Sequence, residues 1–179
     1  VFVPTGNPTP DHWGGKRSAA SDKYGSAVVA LNAETGALQW AFQTAHHDLW
    51  DYDVASQPTL LDVPVNGRRV PAVAQATKRG ELFLLDRRTG KPLTRVAERP
   101  VPQRGGVPDD RHSPTQPFSA GVPSFAGDRL TEADMWGVTP LDQLWCRIEF
   151  RRLRYDGPAT PPGLDRSLTY PSIGGGMNW

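Results

Sequence analysis

The chain has 179 residues, enough for one domain with a real core, and its 20 basic and 19 acidic residues leave a net charge of +1. That balance speaks against a nucleic-acid partner. The single cysteine, Cys146, excludes an internal disulfide framework or a cysteine-based zinc site, and no apolar run is long enough to span a bilayer. Gly and Pro, 18 each, suit many short strands joined by turns, and six Trp supply large apolar faces for locking sheets together.

In chain order, Val1-Phe2-Val3 reads as a strand, and Thr5-Gly6-Asn7-Pro8-Thr9-Pro10 by itself reads as a plain turn. Ala27–Leu31 and Leu38–Phe42 are strands on either side of a turn at Asn32–Gly36. Pro58–Val63 and Val70–Ala74 flank Asn66-Gly67, a strong hairpin signal, and Glu81–Asp86 leads into a second turn at Arg87–Gly90. The two turns repeat a pattern: two apolar residues, Asn or Asp, two variable residues, then Thr-Gly, with Gly36 and Gly90 54 residues apart. A repeat of roughly 50 residues built from short strands is the signature of propeller blades.

Residues 97–130 lose all periodicity and read as a long solvated loop, with Arg104, Arg111 and Arg129 offset by Asp109, Asp110 and Asp128. A helix follows. Thr139 caps it, Pro140 takes its first position, Asp142 closes a capping box, and Leu141, Leu144, Trp145 and Ile148 form one apolar stripe. Arg147, Arg151 and Arg154 lie off that stripe on a solvated face, and Gly157-Pro158 is expected to end the helix. The expected division is blade strands over 1–96, an insertion of loop and helix over 97–156, and a return to a blade over 157–179. With a strand-like start and no polar tail after Asn178-Trp179, the chain is expected to be an internal segment of a longer protein and unstable in isolation, because an unclosed propeller leaves sheet edges unpaired.

The densest polar cluster is His46-His47-Asp48-Leu49-Trp50-Asp51-Tyr52-Asp53. If extended, it would set Asp51 and Asp53 on one face and splay the two His apart. Two readings stand: a carboxylate serving as general base or metal ligand, or a turn whose Asp side chains cap backbone amides. A His-based zinc site lacks a third ligand at a recognisable spacing. Lys78 alone reads as a surface lysine before a turn.

The ordered series Thr5–Trp13, His46–Asp53, Lys78–Gly90, Pro114–Ser119 and Ala133–Gly137 resembles the membrane-bound quinoprotein dehydrogenases of the glucose, quinate and shikimate type, essentially end to end. The repeat also resembles that superfamily's tryptophan-docking motif. The first copy keeps Ala30, Thr35, Gly36 and Trp40, with Asn32 for Asp; the second has Thr94 where Trp is expected. The resemblance implies an all-β fold, part of an eight-bladed propeller, with pyrroloquinoline quinone (PQQ) and Ca²⁺ or Mg²⁺ near its axis. It implies Asp51 as catalytic base and metal ligand, Asn7 as metal ligand, Lys78 as donor to the reactive quinone edge, and Thr9, Asn178 and Trp179 at the cofactor. It further implies a small sugar or polyol substrate, D-glucose first and quinate, shikimate or another polyol next, ubiquinone as electron acceptor, and a place on the periplasmic face of the bacterial inner membrane. The rival from another class is a non-catalytic scaffold propeller, which shares the Thr-Gly turns and has no use for Asp51 with Lys78.

Overall fold

The computed structural model describes residues 1–127 and 129–178. Its strands are β1 (Phe2–Pro4), β2 (Ala27–Leu31), β3 (Leu38–Gln43), β4 (Thr59–Val65), β5 (Arg68–Ala76), β6 (Leu82–Asp86), β7 (Arg95–Pro100) and β8 (Thr115–Ala120); its α-helices are α1 (Ala19–Tyr24) and α2 (Pro140–Arg152). They form antiparallel sheets β1-β2-β3, β4-β5-β6 and β7-β8.

The repeated turns are the same device used twice. The Asn32 side chain accepts from the amides of Glu34 and Thr35, and Gly36 closes back on the Asn32 carbonyl at φ +69°. Asp86 accepts from the Arg88 amide, and Gly90 closes on the Asp86 carbonyl at φ +70°. That left-handed backbone is open to glycine at little cost, which is why both turns end in it. The β4–β5 hairpin turns at Asn66 and Gly67, both with positive φ, as the Asn-Gly signal predicts.

The first two sheets share one core of Val28, Ala30, Trp40, Val54, Val73, Phe83 and Leu85. Trp40 is its clasp. Its ring sits against Gly90, where a Cβ would come within 2.7 Å of the indole, and its Nε1 donates to the Arg87 carbonyl at 3.1 Å. One repeat's tryptophan thus docks on the next repeat's Thr-Gly turn. The second copy carries Thr94 in place of the tryptophan, and its hydroxyl is buried without a hydrogen-bond partner among the described residues. Trp40→Ala should remove both the packing and the indole bond and destabilise this interface by about 3–5 kcal/mol, read as a lower thermal midpoint of the full-length protein.

Several expectations are corrected. Residues 97–130 are not one loop: β7 and β8 pair in register from Arg95↔Ala120 to Pro100↔Thr115, and the Gln116 side chain binds both the amide and the carbonyl of His46 at 2.8 and 2.7 Å. The Arg104 and Arg111 charges are met by Asp156 and Asp22 rather than by their sequence neighbours. Helix α2 starts as predicted, with Thr139 and Asp142 in a capping box, but it ends at Arg152, and its stripe faces outward, with Leu141 77 % and Trp145 61 % exposed. Arg147 and Arg151 bond Glu132, and Arg154 bonds Asp165, so these cations are paired within the chain. The described part of 157–179 forms turns and a single bridge, Arg154↔Ser167, instead of a blade strand. Helix α1, capped by Ser18, falls in the stretch read as strands and turns.

Candidate active site

The segment 46–53 is a turn, with His47 at φ +43° and Asp51 at φ +61°. The capping reading of its carboxylates is realised on one of the three. Asp48 is the capping one: its oxygens accept from the amides of Trp50 at 2.9 Å and Tyr52 at 2.8 Å, and from the Ser26 hydroxyl at 2.6 Å. Asp51 and Asp53 point to Lys78. Its Nζ donates to Asp51 Oδ2 at 3.1 Å, to the Asp51 carbonyl at 3.0 Å and to Asp53 Oδ2 at 2.6 Å, so all three ammonium hydrogens are engaged. The two Asp therefore share a side as an extended segment would have had it, although the backbone is not extended.

The lysine is set by the turn after β5. Gly80 closes this turn on the Thr77 carbonyl at φ +73°, and the Gly176 amide donates to the Lys78 carbonyl at 2.7 Å, laying the chain's last residues alongside. On the other side, Asp53 Oδ1 accepts from the Asn7 amide at 2.5 Å, which brings in the loop after β1. Asp53 is the member that sequence reasoning did not assign; its Asp-x-Asp spacing to Asp51 was the available signal.

The electrostatics separate the two carboxylates. Burial raises Asp51 above the ordinary carboxylate range, and Asp53 beside it adds to the rise against the opposing pull of Lys78. Burial also pushes Asp53 upward, but the Lys78 ammonium and the Asn7 amide outweigh it and hold Asp53 below its ordinary value. Burial disfavours the Lys78 charge, yet the two carboxylates more than restore it and its pKa is raised. The shared ammonium thus sits closer to Asp53, the carboxylate held low, than to Asp51, the one raised.

The two histidines serve structure. His47 is buried between Asp22 at 2.6 Å and Asp110 at 3.0 Å, and His46 bridges Gln43 and Glu98. Among the described residues no group of three or more His, Cys, Asp or Glu side chains is arranged to hold a metal. Thr9 lies exposed two residues beyond Asn7 and takes no part in the cluster's hydrogen bonds; Asn178 donates to the Gly174 carbonyl; Trp179 lies outside the described residues.

Antiparallel sheets locked by a tryptophan on a repeated Thr-Gly turn are blades of a β-propeller, and the lysine–dicarboxylate cluster lies where their loops meet. The family is explicit: residues 1–179 match the PQQ glucose/ethanol/alcohol dehydrogenase β-propeller domain, and the chain belongs to that family. Over its whole length it is 52 % identical to the glycerol dehydrogenase large subunit of Gluconobacter thailandicus and 49 % identical to the quinate/shikimate dehydrogenase (quinone) of Acinetobacter baylyi, covering 24 % and 22 % of them. It is 47 % identical to the quinoprotein glucose dehydrogenase of Escherichia coli, again along its full length and over 22 % of the relative. The chain therefore spans about a quarter of the length of the curated relatives it matches.

Two features of the site fit a quinone cofactor with a hard cation. The side-chain oxygens of Asn7 and Asn178 are buried without hydrogen-bond partners among the described residues, and amide oxygens are ligands that Ca²⁺ accepts and that a cofactor's polar edge can also satisfy. The Lys78 ammonium, linked to Asn7 through Asp53, can supply a positive field for an electron-poor carbonyl.

Proposed function

We propose that the protein containing this chain is a PQQ-dependent dehydrogenase that oxidises a CH–OH group of a polyhydroxylated small molecule. The observation that carries this reading is the Lys78–Asp51–Asp53 cluster in a chain of this family. PQQ, when bound, supplies the two-electron acceptor, and Asn7, with Asp51, would hold the Ca²⁺ or Mg²⁺ that accompanies it.

The chain's own residues do the rest. Asp51 takes the hydroxyl proton of the substrate. Its carboxylate is made more basic by burial and by Asp53, and it stays charged because Lys78 lies 3.1 Å away. With the cofactor bound, Lys78 would turn one N–H from Asp51 to the quinone edge, while Asp53, its closest partner at 2.6 Å, keeps it charged. Asn178 and Trp179 belong to the cofactor's surroundings, as does Thr9 on the Asn7 loop. Electrons then pass to ubiquinone on the periplasmic face of the inner membrane. No helix among the described residues is long and apolar enough to cross a membrane.

For the substrate, relatives named for glycerol, quinate or shikimate, and glucose align over the whole chain at 47–52 % identity, and what the substrates in those names share is several hydroxyls. D-Glucose, oxidised to gluconolactone, is the first candidate and quinate, shikimate or another polyol the second. The full-length protein, reconstituted with PQQ and Ca²⁺ or Mg²⁺, should reduce an artificial dye on one of these substrates and stay silent without PQQ. Absence of both dye reduction and PQQ binding would sink the proposal and favour the scaffold propeller.

A further inference from the structure

Asp48 lies three residues before Asp51 and is 2 % exposed, yet it bonds neither to Lys78 nor to Asp53. Its two oxygens reach over the turn. Oδ1 accepts from the amide of Trp50 and Oδ2 from that of Tyr52, the two residues that flank Asp51. The flanking side chains are anchored as well. Trp50 Nε1 donates to the Thr160 carbonyl at 2.7 Å, Tyr52 Oη donates to the Pro171 carbonyl at 2.9 Å, and the two rings stack with centroids 5.9 Å apart, both nearly fully buried. Asp51 itself sits at φ +61°, a left-handed conformation that a residue with a Cβ holds only where its surroundings over-determine it. The clamp supplies that determination, and the geometry leaves Asp51 as the outward residue between two inward ones.

We infer that Asp48 is the positioning residue for Asp51: by holding the amides on both sides of the turn, it fixes the angle at which the Asp51 carboxylate meets Lys78 and the substrate hydroxyl. This rests on the reading of Asp51 as the base. The Ser26 hydroxyl, at 2.6 Å from Oδ2, completes the clamp, and the Ser26 carbonyl in turn accepts the amide and hydroxyl of Thr44, tying the clamp to the end of β3. Burial raises Asp48 above the ordinary carboxylate range, and the three hydrogen bonds of the clamp oppose that rise.

Asp48→Asn keeps the shape but turns an NH₂ toward one of the two amides. In the full-length enzyme, kcat should fall about 10- to 100-fold, as for a small misplacement of a reacting group, with PQQ affinity unchanged. Amide exchange at Trp50 and Tyr52 should quicken in the protein without cofactor. The decisive comparison is in the Asp51→Asn background. A residue that acts through Asp51 should cost nothing further there, whereas a merely structural one would cost the same again. An equal loss in both backgrounds, or a wild-type kcat for Asp48→Asn beside an inactive Asp51→Asn, overturns the inference. Wild-type turnover by Asp51→Asn would remove the base assignment itself, and this inference with it. If Asp48→Asn does not accumulate folded, Ser26→Ala, which removes a single bond of the clamp, should show the same pattern with a smaller loss, and its failure to do so counts equally against the inference.

Discussion

Asp51→Asn in the full-length enzyme is expected to lower turnover by about 10²- to 10⁴-fold, the range that a positioned general base supplies. The substitution is close to isosteric, and most of what holds the site does not depend on the lost charge. Lys78 keeps Asp53 at 2.6 Å and the main-chain carbonyl of residue 51 at 3.0 Å, and Asp48 keeps the amides of Trp50 and Tyr52. The cofactor's surroundings should therefore persist, and PQQ should still bind, seen as its absorbance change on titration. What disappears is the one carboxylate that burial and a neighbouring anion have pushed toward accepting a proton. Turnover near that of wild type would reassign the base, with Asp53 the first alternative.

Lys78→Met should cost about 10²- to 10³-fold in kcat, the size of effect seen when one preorganised donor to a developing charge is deleted, and it should also move the pH profile. The direction follows from the geometry. In the wild-type protein Asp51 must be ionised to act, so activity is lost as pH falls through its pKa, which lies above that of an ordinary Asp. Lys78 is the influence that holds this value down, by hydrogen bond and by charge. Without it, Asp51 and Asp53 face each other with no ammonium between them, the ionised pair is less favoured, and the acid limb of kcat shifts to higher pH. An unmoved acid limb would show that Lys78 does not tune Asp51, whatever its effect on rate. Because the Lys78 pKa is itself raised, an alkaline limb from its deprotonation should lie beyond that of a free lysine.

The elements that sequence reasoning placed correctly are those whose information is local. The Asn32–Gly36 and Asp86–Gly90 turns, the Asn66-Gly67 hairpin and the Thr139 cap are each specified within four or five residues, because a side chain bonds its own neighbourhood or a glycine accepts a positive φ. Strands β2, β5 and β6 likewise carry their apolar patterns in short runs. The same locality made the repeat readable, and with it the propeller.

What failed depended on distant partners. β7 and β8 carry Pro, Arg and Glu and have no alternation to read; they exist because they pair with each other and because Gln116 binds the backbone of His46, 70 residues away. The stripe on α2 was legible as a stripe, but periodicity reports the helix and not what lies against it. In the site, the residues Asp51 and Lys78 were readable from motif resemblance and their types suited proton transfer, whereas the division of labour among Asp48, Asp51 and Asp53 was not. Three aspartates within six residues are chemically alike as letters. One became a buried clamp, one the base proposed above and one the lysine's closest anion only when Ser26, Lys78 and Asn7 arrived from other parts of the chain and gave each a different field. The sequence by itself determined the turns, the repeat and the chemical inventory, since these depend on short-range bonding; the tertiary structure alone decided the roles, because a carboxylate's charge state and direction are set by burial and by partners brought from across the fold.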